Sequence, residues 1–216
     1  HSDYGLPPFS LERLRYSLLV ASSYSGNTEE TLDFAKEAMK KKLNLAVVAV
    51  GGKLIDFAKK NKLPYIVLPD TGIQPRSALG FSIVALATLL GDKKMIKELS
   101  LLSNNLKPSV LRGKGKKLAT TLHGMSPIIY SSHRNKSIAY NWKIKINETG
   151  KTPAFHNVFP ELNHNEMTGF DVVEKNKKLS EGFHFFFLLD ESDHKGVQKR
   201  MQVCRKLYEK RGLPVT

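Results

Sequence analysis

The segment at positions 18–31, LLVASSYSGNTEET, constrains the fold of this chain more than any other. An apolar run at 18–21 is followed by small hydroxyl residues around Gly26, and a helical pattern of apolar residues begins directly after them. This order predicts a buried strand that turns sharply into a helix. The turn brings hydroxyl groups and the unpaired N–H groups of a helix N-terminus together, which suits a phosphate. The alternative interpretation is a serine-rich helix cap that binds no ligand.

Strand and helix patterns alternate through the first half of the chain. Strands are predicted at 17–21, 45–50 and 65–68, and helices at 28–42, 53–61 and 77–90. This alternation is typical of an α/β fold, in which a parallel sheet is covered by helices on both faces.

The second half repeats this alternation after a polar, basic region at 92–122. We predict a strand at 127–130, a helix at 136–145, a strand at 183–188 and a helix at 195–211. The domain organisation expected is therefore a first domain at 1–91, a helical linker at 92–122 and a second domain at 123–216. In both domains the first strand leads into paired serines, which indicates a duplicated architecture.

The net charge of +14 raises the question of nucleic-acid binding. The basic residues occur in pairs and triples on amphipathic helices, without interleaved aromatic residues or zinc-finger spacing. This distribution favours a solvated lysine-rich surface, so we expect no nucleic-acid partner. No apolar run is long enough to span a membrane, and we expect no membrane partner.

The one cysteine, Cys204, allows no internal disulfide and suits the reducing cytoplasm. It lies in a basic helical pattern, which favours a packed thiol over a nucleophile. The first residues, HSDYGLPPF, contain neither an initiator Met nor a secretory pattern. We therefore expect the sequence to begin inside a longer gene product or at a processed end.

A second informative segment, at 147–169, places glutamates and histidines among apolar residues. Such a mixture is typical of acid–base sites. A metal site would use His156, His164 and a carboxylate, but no histidine pair shows helical spacing with a third ligand of known pattern. A structural loop is the remaining alternative, because Pro153 and Pro160 impose an irregular path on the chain.

Four segments together resemble one known family. SYSGNTEET at 23–31 resembles the phosphate-binding turn of sugar isomerase (SIS) domains. With QPRSALG at 74–80, KINETGK at 145–151 and PAFHNVFPELNHNE at 153–166, the chain resembles the bifunctional phosphoglucose/phosphomannose isomerases. The resemblance implies two flavodoxin-like SIS domains, no cofactor and no metal ion. It also implies that the enzyme interconverts glucose 6-phosphate or mannose 6-phosphate with fructose 6-phosphate through a cis-enediolate.

The resemblance also assigns roles to individual residues. The family's phosphate-holding hydroxyls correspond to Ser23, Ser25 and Thr28. Arg76 corresponds to the arginine beside the enediolate, and Glu148 corresponds to the base that transfers the proton between carbons. His164 corresponds to the ring-opening histidine, which this family supplies from the neighbouring subunit. A homodimer is therefore implied as the active form.

The sequence also departs from the family pattern. An upstream glycine-rich turn of GxGGSG type and a C-terminal helix with a catalytic lysine have no match within the 216 residues. NETGK replaces the more usual NENAK, and SSHR at 131–134 replaces a glycine-bearing turn. These departures leave open a non-catalytic SIS protein that binds sugar phosphates. The isomerase half of an amidotransferase is a weaker alternative, because it would require an ammonia-supplying domain.

Overall fold

The computed structural model describes residues 3–216, which form two compact units. The first unit ends at Leu106 and the second runs from Lys107 to Thr216. This division falls inside the predicted linker at 92–122. The domain boundaries predicted at 91 and 122 stay predictions.

The first unit contains three parallel strands. In chain order its elements are α1 (Leu11–Arg15), β1 (Leu19–Ser22), α2 (Glu29–Lys40), β2 (Leu45–Ala49), α3 (Gly52–Lys60), β3 (Tyr65–Val67), a 3₁₀ turn (Pro75–Ser77), α4 (Leu79–Leu89) and α5 (Lys93–Asn105). The strands lie in the order β1-β2-β3. The three strands and three helices predicted for this half are thus present, with ends that differ by one or two residues.

The central strand β2 is buried along its whole length because helices cover both faces of the sheet. Leu45, Val47 and Ala49 share one hydrophobic cluster with residues of α2 and α3. Val48 points the other way and packs with Ala85 of α4. This alternation is the period of two expected of a strand, and it agrees with the prediction of a sheet covered on both faces.

The second unit contains three further parallel strands. Its elements are α6 (Pro108–Thr121), β4 (Ser126–Ser132), α7 (Lys136–Lys145), a π-helical turn (Ile146–Gly150), β5 (Phe155–Phe159), a 3₁₀ turn (Glu161–Asn163), α8 (Glu166–Gly169), a second 3₁₀ turn (Glu174–Asn176), α9 (Lys177–Ser180), β6 (Phe183–Leu188) and α10 (Lys195–Lys210). The predicted helix at 136–145 and strand at 183–188 match α7 and β6 in full. β5 was not predicted, because the prolines at both of its ends favoured an irregular path.

Both units alternate parallel strands and helices, but their strands lie in different orders, and the predicted duplication stays a prediction. In the first sheet the strands follow chain order, whereas in the second sheet β4 lies between β5 and β6. The connection at 160–182 is long enough to carry the chain from one edge of the sheet to the other. The two units are therefore related in architecture and different in topology.

One face of the second sheet is packed against α10. The shared cluster includes Tyr130 of β4 and Cys204 and Tyr208 of α10, all fully buried. Burial raises the pKa of the Cys204 thiol to about 11, so the thiol stays protonated at neutral pH. Cys204 is thus a packing residue, in agreement with the prediction. The other face packs against α6 and α7.

Among the described residues, no helix has both the length and the apolar character needed to cross a lipid bilayer.

The burial of His184 on β6 predicts a pH-dependent stability for the second unit. Its ring stacks on Phe186 with 4.9 Å between centroids, and its Nε2 lies 2.8 Å from the Thr216 hydroxyl. Burial lowers the pKa of His184 below its usual 6.5. The unfolded chain therefore binds a proton in a pH range where the folded unit does not, and acid favours unfolding.

We expect the free energy of unfolding to fall as the pH drops below 6.5, until the lowered pKa of folded His184 is reached. Urea titrations above and below pH 6.5 measure the difference. His184→Gln is expected to show a smaller pH dependence than the unchanged protein, whereas His123→Gln, at an exposed position, should retain it. An equal pH dependence in both variants would contradict this assignment.

Candidate functional site

The turn between β1 and α2 brings three of the predicted hydroxyl residues into one short loop. Ser23 is buried, and its hydroxyl lies 2.7 Å from that of Thr28. The same Ser23 oxygen accepts from the N–H of Gly26 at 3.2 Å, while the Ser25 hydroxyl accepts from the N–H of Asn27 at 3.2 Å. The hydroxyls thus hold the turn in a fixed conformation.

The N-terminus of α2 lacks the usual side-chain cap. Thr28 occupies the cap position, but its hydroxyl makes no hydrogen bond to its own helix because it is directed to Ser23. A helix start without a side-chain cap keeps backbone donors available for an anion. Glu29 and Glu30 lie in the first turn and offset part of the positive potential there.

A second strand-to-helix turn, between β2 and α3, is locked against the first. Asn27 Oδ1 accepts from the N–H of Lys53 at 3.1 Å, and the carbonyl of Gly26 accepts from the N–H of Leu54 at 2.9 Å. Residues of the first turn therefore cap the N-terminus of α3, whose own cap residue, Gly51, has no side chain to do so. This capping has no local signal in the sequence, because it depends on a contact between residues 26 positions apart.

Gly26 is required at this contact. It has a φ of +70°, and a Cβ built there would lie 1.8 Å from the carbonyl oxygen of Gly51. Its backbone conformation and the approach of the second turn both exclude a side chain.

Arg76, predicted to stabilise the enediolate, lies in the 3₁₀ turn that follows β3 and is partly buried. It belongs to the first unit, as do Ser23, Ser25 and Thr28. Three segments follow the carboxyl ends of parallel strands: the turn between β1 and α2, the turn between β2 and α3, and the loop that carries Arg76. In α/β sheets this edge is where ligands bind.

Glu148, the predicted base, lies in the π-helical turn that directly follows α7. The turn ends at Lys151, which adopts a left-handed conformation, and Asn147 Nδ2 donates to the carbonyl of Thr152 at 2.9 Å. Single π-turns are rare in helices, and those that occur often lie at functional sites. The side chain of Glu148 is exposed, so a substrate can reach it.

His164, the predicted ring-opening residue, follows the 3₁₀ turn after β5 and is exposed. The structure brings His164 and Glu148 of one chain to opposite ends of β5. Glu148 precedes β5 in the chain, and Ile146 beside it packs with Ala154 at the start of this strand. His164 follows the end of the strand at Phe159. The strand alone separates its two ends by about 13 Å at the usual rise per residue.

His156 does not join His164 in a metal site. No group of three metal-binding His, Cys, Asp or Glu side chains occurs between residues 3 and 216. The His156 ring packs edge-on against Tyr140, with 5.4 Å between centroids. Burial, together with Lys143 and Lys136, lowers the pKa of His156, so its ring is neutral at neutral pH.

Residues 112–216 match the family described as the bacterial phospho-glucose isomerase C-terminal SIS domain. A solved structure shares the fold of the chain. The chain resembles glucosamine-6-phosphate deaminase from Thermotoga maritima with a TM-score of 0.63 and 15% identity, over 92% of this chain and 59% of that one. At this identity the likeness concerns the fold alone. The second half of the chain is thus an SIS domain.

Two curated relatives extend the likeness to nearly the whole chain. The bifunctional phosphoglucose/phosphomannose isomerase of Aquifex aeolicus is 37% identical over 213 residues, which cover 98% of this chain and 63% of the relative. That of Caldicellulosiruptor bescii is 38% identical over 219 residues, which cover 95% of this chain and 62% of the relative. The chain is therefore similar to the bifunctional phosphoglucose/phosphomannose isomerases over nearly its whole length, and it spans slightly less than two thirds of these relatives' length.

The Gly26 contact yields a stability prediction. We expect Gly26→Ala to destabilise the first unit by about 3 kcal/mol or more, because backbone strain and a steric clash add together. Chemical denaturation monitored in the first unit measures the loss. Gly91→Ala is the matched control, since Gly91 has a φ of +65° but open space around it. The control should cost about 1 kcal/mol, from backbone strain alone. Equal losses in the two variants would show that the two turns do not depend on each other.

Proposed function

We propose that the protein is an aldose–ketose isomerase that converts glucose 6-phosphate and mannose 6-phosphate into fructose 6-phosphate. The observation that carries the proposal is the turn between β1 and α2, where Thr28 bonds Ser23 and leaves the helix start without a side-chain cap. The similarity to the bifunctional phosphoglucose/phosphomannose isomerases adds support. In this proposal, Ser23, Ser25 and Thr28 hold the substrate phosphate, and the energy of that contact positions the reacting carbons.

The proposed reaction begins with opening of the sugar ring. His164 moves a proton between the ring oxygen and the hydroxyl on C1. Glu148 then takes the proton from C2 and returns it to C1, which converts aldose into ketose. The intermediate is a cis-enediolate, and the fixed positive charge of Arg76 stabilises its oxygens. Aldose and ketose are isomers and every proton removed is returned, so the proposed reaction needs no redox cofactor, and Arg76 supplies the positive charge beside the enediolate.

We further propose that the active form is a homodimer in which His164 acts on the substrate held by the partner subunit. The positions of Glu148 and His164 at opposite ends of β5 support this arrangement, because the strand keeps the two residues of one chain apart. Helix α4 also supports a dimer. It is apolar around its whole circumference, and several of its large apolar side chains are exposed, as at a surface that a partner would cover. These are Leu79, Val84 and Leu86, together with Leu90 at its end.

The proposal also includes the finer architecture and the location. Each unit would be a flavodoxin-like SIS domain, with α5 and α6 as the helical connection between them. The protein would work in the cytoplasm, where its single cysteine remains reduced and its phosphorylated substrates occur.

A coupled assay on the full-length gene product tests the proposed activity. It should interconvert both aldose phosphates with fructose 6-phosphate. Isothermal calorimetry with fructose 6-phosphate distinguishes the alternative of a non-catalytic binding protein. Binding without turnover of either aldose would support that alternative, and absence of both would contradict a sugar-phosphate function.

Glu148→Gln tests the proposed base. The amide retains the shape of the carboxylate but accepts no proton, so we expect kcat to fall by about a thousandfold or more. The calorimetric affinity for fructose 6-phosphate should change by less than about threefold, since the proposed phosphate contacts are elsewhere. Glu181→Gln, at an exposed glutamate of the same unit, is the matched control. Normal turnover by Glu148→Gln would exclude Glu148 as the base.

A further inference from the structure

We infer that Glu166 is a positioning residue that holds the segment bearing His164 against the sheet, its carboxylate joining Tyr130 and Asn157. This inference rests on the proposed function for the role of His164. All three residues, Glu166, Tyr130 and Asn157, lie in the second unit.

The carboxylate of Glu166 receives one hydrogen bond from each of two strands. Tyr130, on the central strand β4, donates its hydroxyl to Oε1 at 2.7 Å. Asn157, on the edge strand β5, donates Nδ2 to Oε2 in a short hydrogen bond. The Glu166 side chain, two residues after His164, thus connects two strands of the sheet.

Both partners of Glu166 are themselves fixed. Tyr130 is fully buried in the centre of the aromatic cluster, and its hydroxyl lies 3.4 Å from that of Tyr208. Burial raises the pKa of Tyr130, so its hydroxyl stays a donor. The Asn157 side chain is oriented because its Oδ1 accepts from the N–H of Val158 at 2.8 Å. A donor of fixed orientation defines the position of the acceptor.

His164 is exposed between two anchored residues. Leu162, two residues before it, is fully buried in the core, and Glu166 is bound two residues after it. The backbone between them is also bonded, since the N–H of His164 donates to the carbonyl of Glu161 at 2.9 Å. Further along, Arg211 Nη1 donates to the carbonyls of Met167 and Phe170 at 3.2 and 3.1 Å. The segment is therefore held on both sides of an exposed imidazole.

This pattern of bonds favours a carboxylate. Two donors face the side chain at 166, and a carboxylate offers an acceptor to each of them. Glutamine offers one acceptor, so its NH₂ group would face the Asn157 NH₂ group or force the Tyr130 hydroxyl to turn and accept. Asn157→Asp together with Glu166→Gln would reverse donor and acceptor, and the carboxylate introduced at position 157 could still accept from the N–H of Val158. The pair thus provides a rescue test.

The test uses the full-length protein and compares Glu166→Gln, Asn157→Asp and the double variant. Misplacement of His164 should lower the kcat for fructose 6-phosphate by about tenfold to a hundredfold in each single variant. The inhibition constant of glucitol 6-phosphate, which has no ring to open, should change by less than about twofold. Backbone hydrogen exchange at 161–169 should become faster in the single variants. The double variant should regain kcat to within about threefold and recover slow exchange.

Glu174→Gln, at an exposed glutamate in the same unit, is the control for loss of charge and should match the unchanged protein. Unchanged kcat and exchange in Glu166→Gln would overturn the inference, as would a folded double variant that recovers neither. If the unchanged protein turns over no hexose 6-phosphate, the proposed function fails. Hydrogen exchange then decides the positioning role: faster exchange that the double variant reverses supports it, and unaltered exchange overturns it.

Discussion

In each unit all strands run parallel, so their amino ends lie together on one side of the sheet and their carboxyl ends lie together on the opposite side. A side chain before a strand and a side chain after it are therefore kept apart by the length of the strand. For β5 the two side chains are Glu148 and His164. This separation bears on how the proposed chemistry would be organised. Within one chain, Glu148 and His164 lie at different ends of the sheet, and the proposed dimer would bring them to one sugar.

Hydrogen bonds between distant parts of the chain support two of the candidate segments, one in each unit. In the first unit, Gly26 and Asn27 cap a helix that starts 26 residues later, which fixes the proposed phosphate turn. In the second unit, Glu166 joins two strands beside His164. Proton transfer and phosphate binding both depend on such preorganised geometry, because misplacement by about 1 Å is costly.

Local patterns in the sequence were sufficient to predict most strands and helices, since apolar periodicity and glycines define them within a few residues. β5 was missed because its flanking prolines resemble those of a loop, and its pairing with β4 decides its conformation. The candidate residues came from motifs, and they stay predictions. The cap by Asn27 and the bonds of Glu166 could not be predicted, because they join residues that only the folded chain brings together. The π-turn at Glu148 likewise has no local signal distinct from that of an α-helix.

Subunit complementation tests the central claim most directly. Glu148→Gln and His164→Ala variants of the full-length protein are each expected to be nearly inactive. If the base and the imidazole act across a twofold dimer, a hybrid dimer contains one site with both residues intact, so an equal, re-equilibrated mixture should recover about a quarter of normal activity. If both residues act within one chain, every site in the hybrid lacks one of them. An inactive mixture with hybrid dimers demonstrably present would contradict the account.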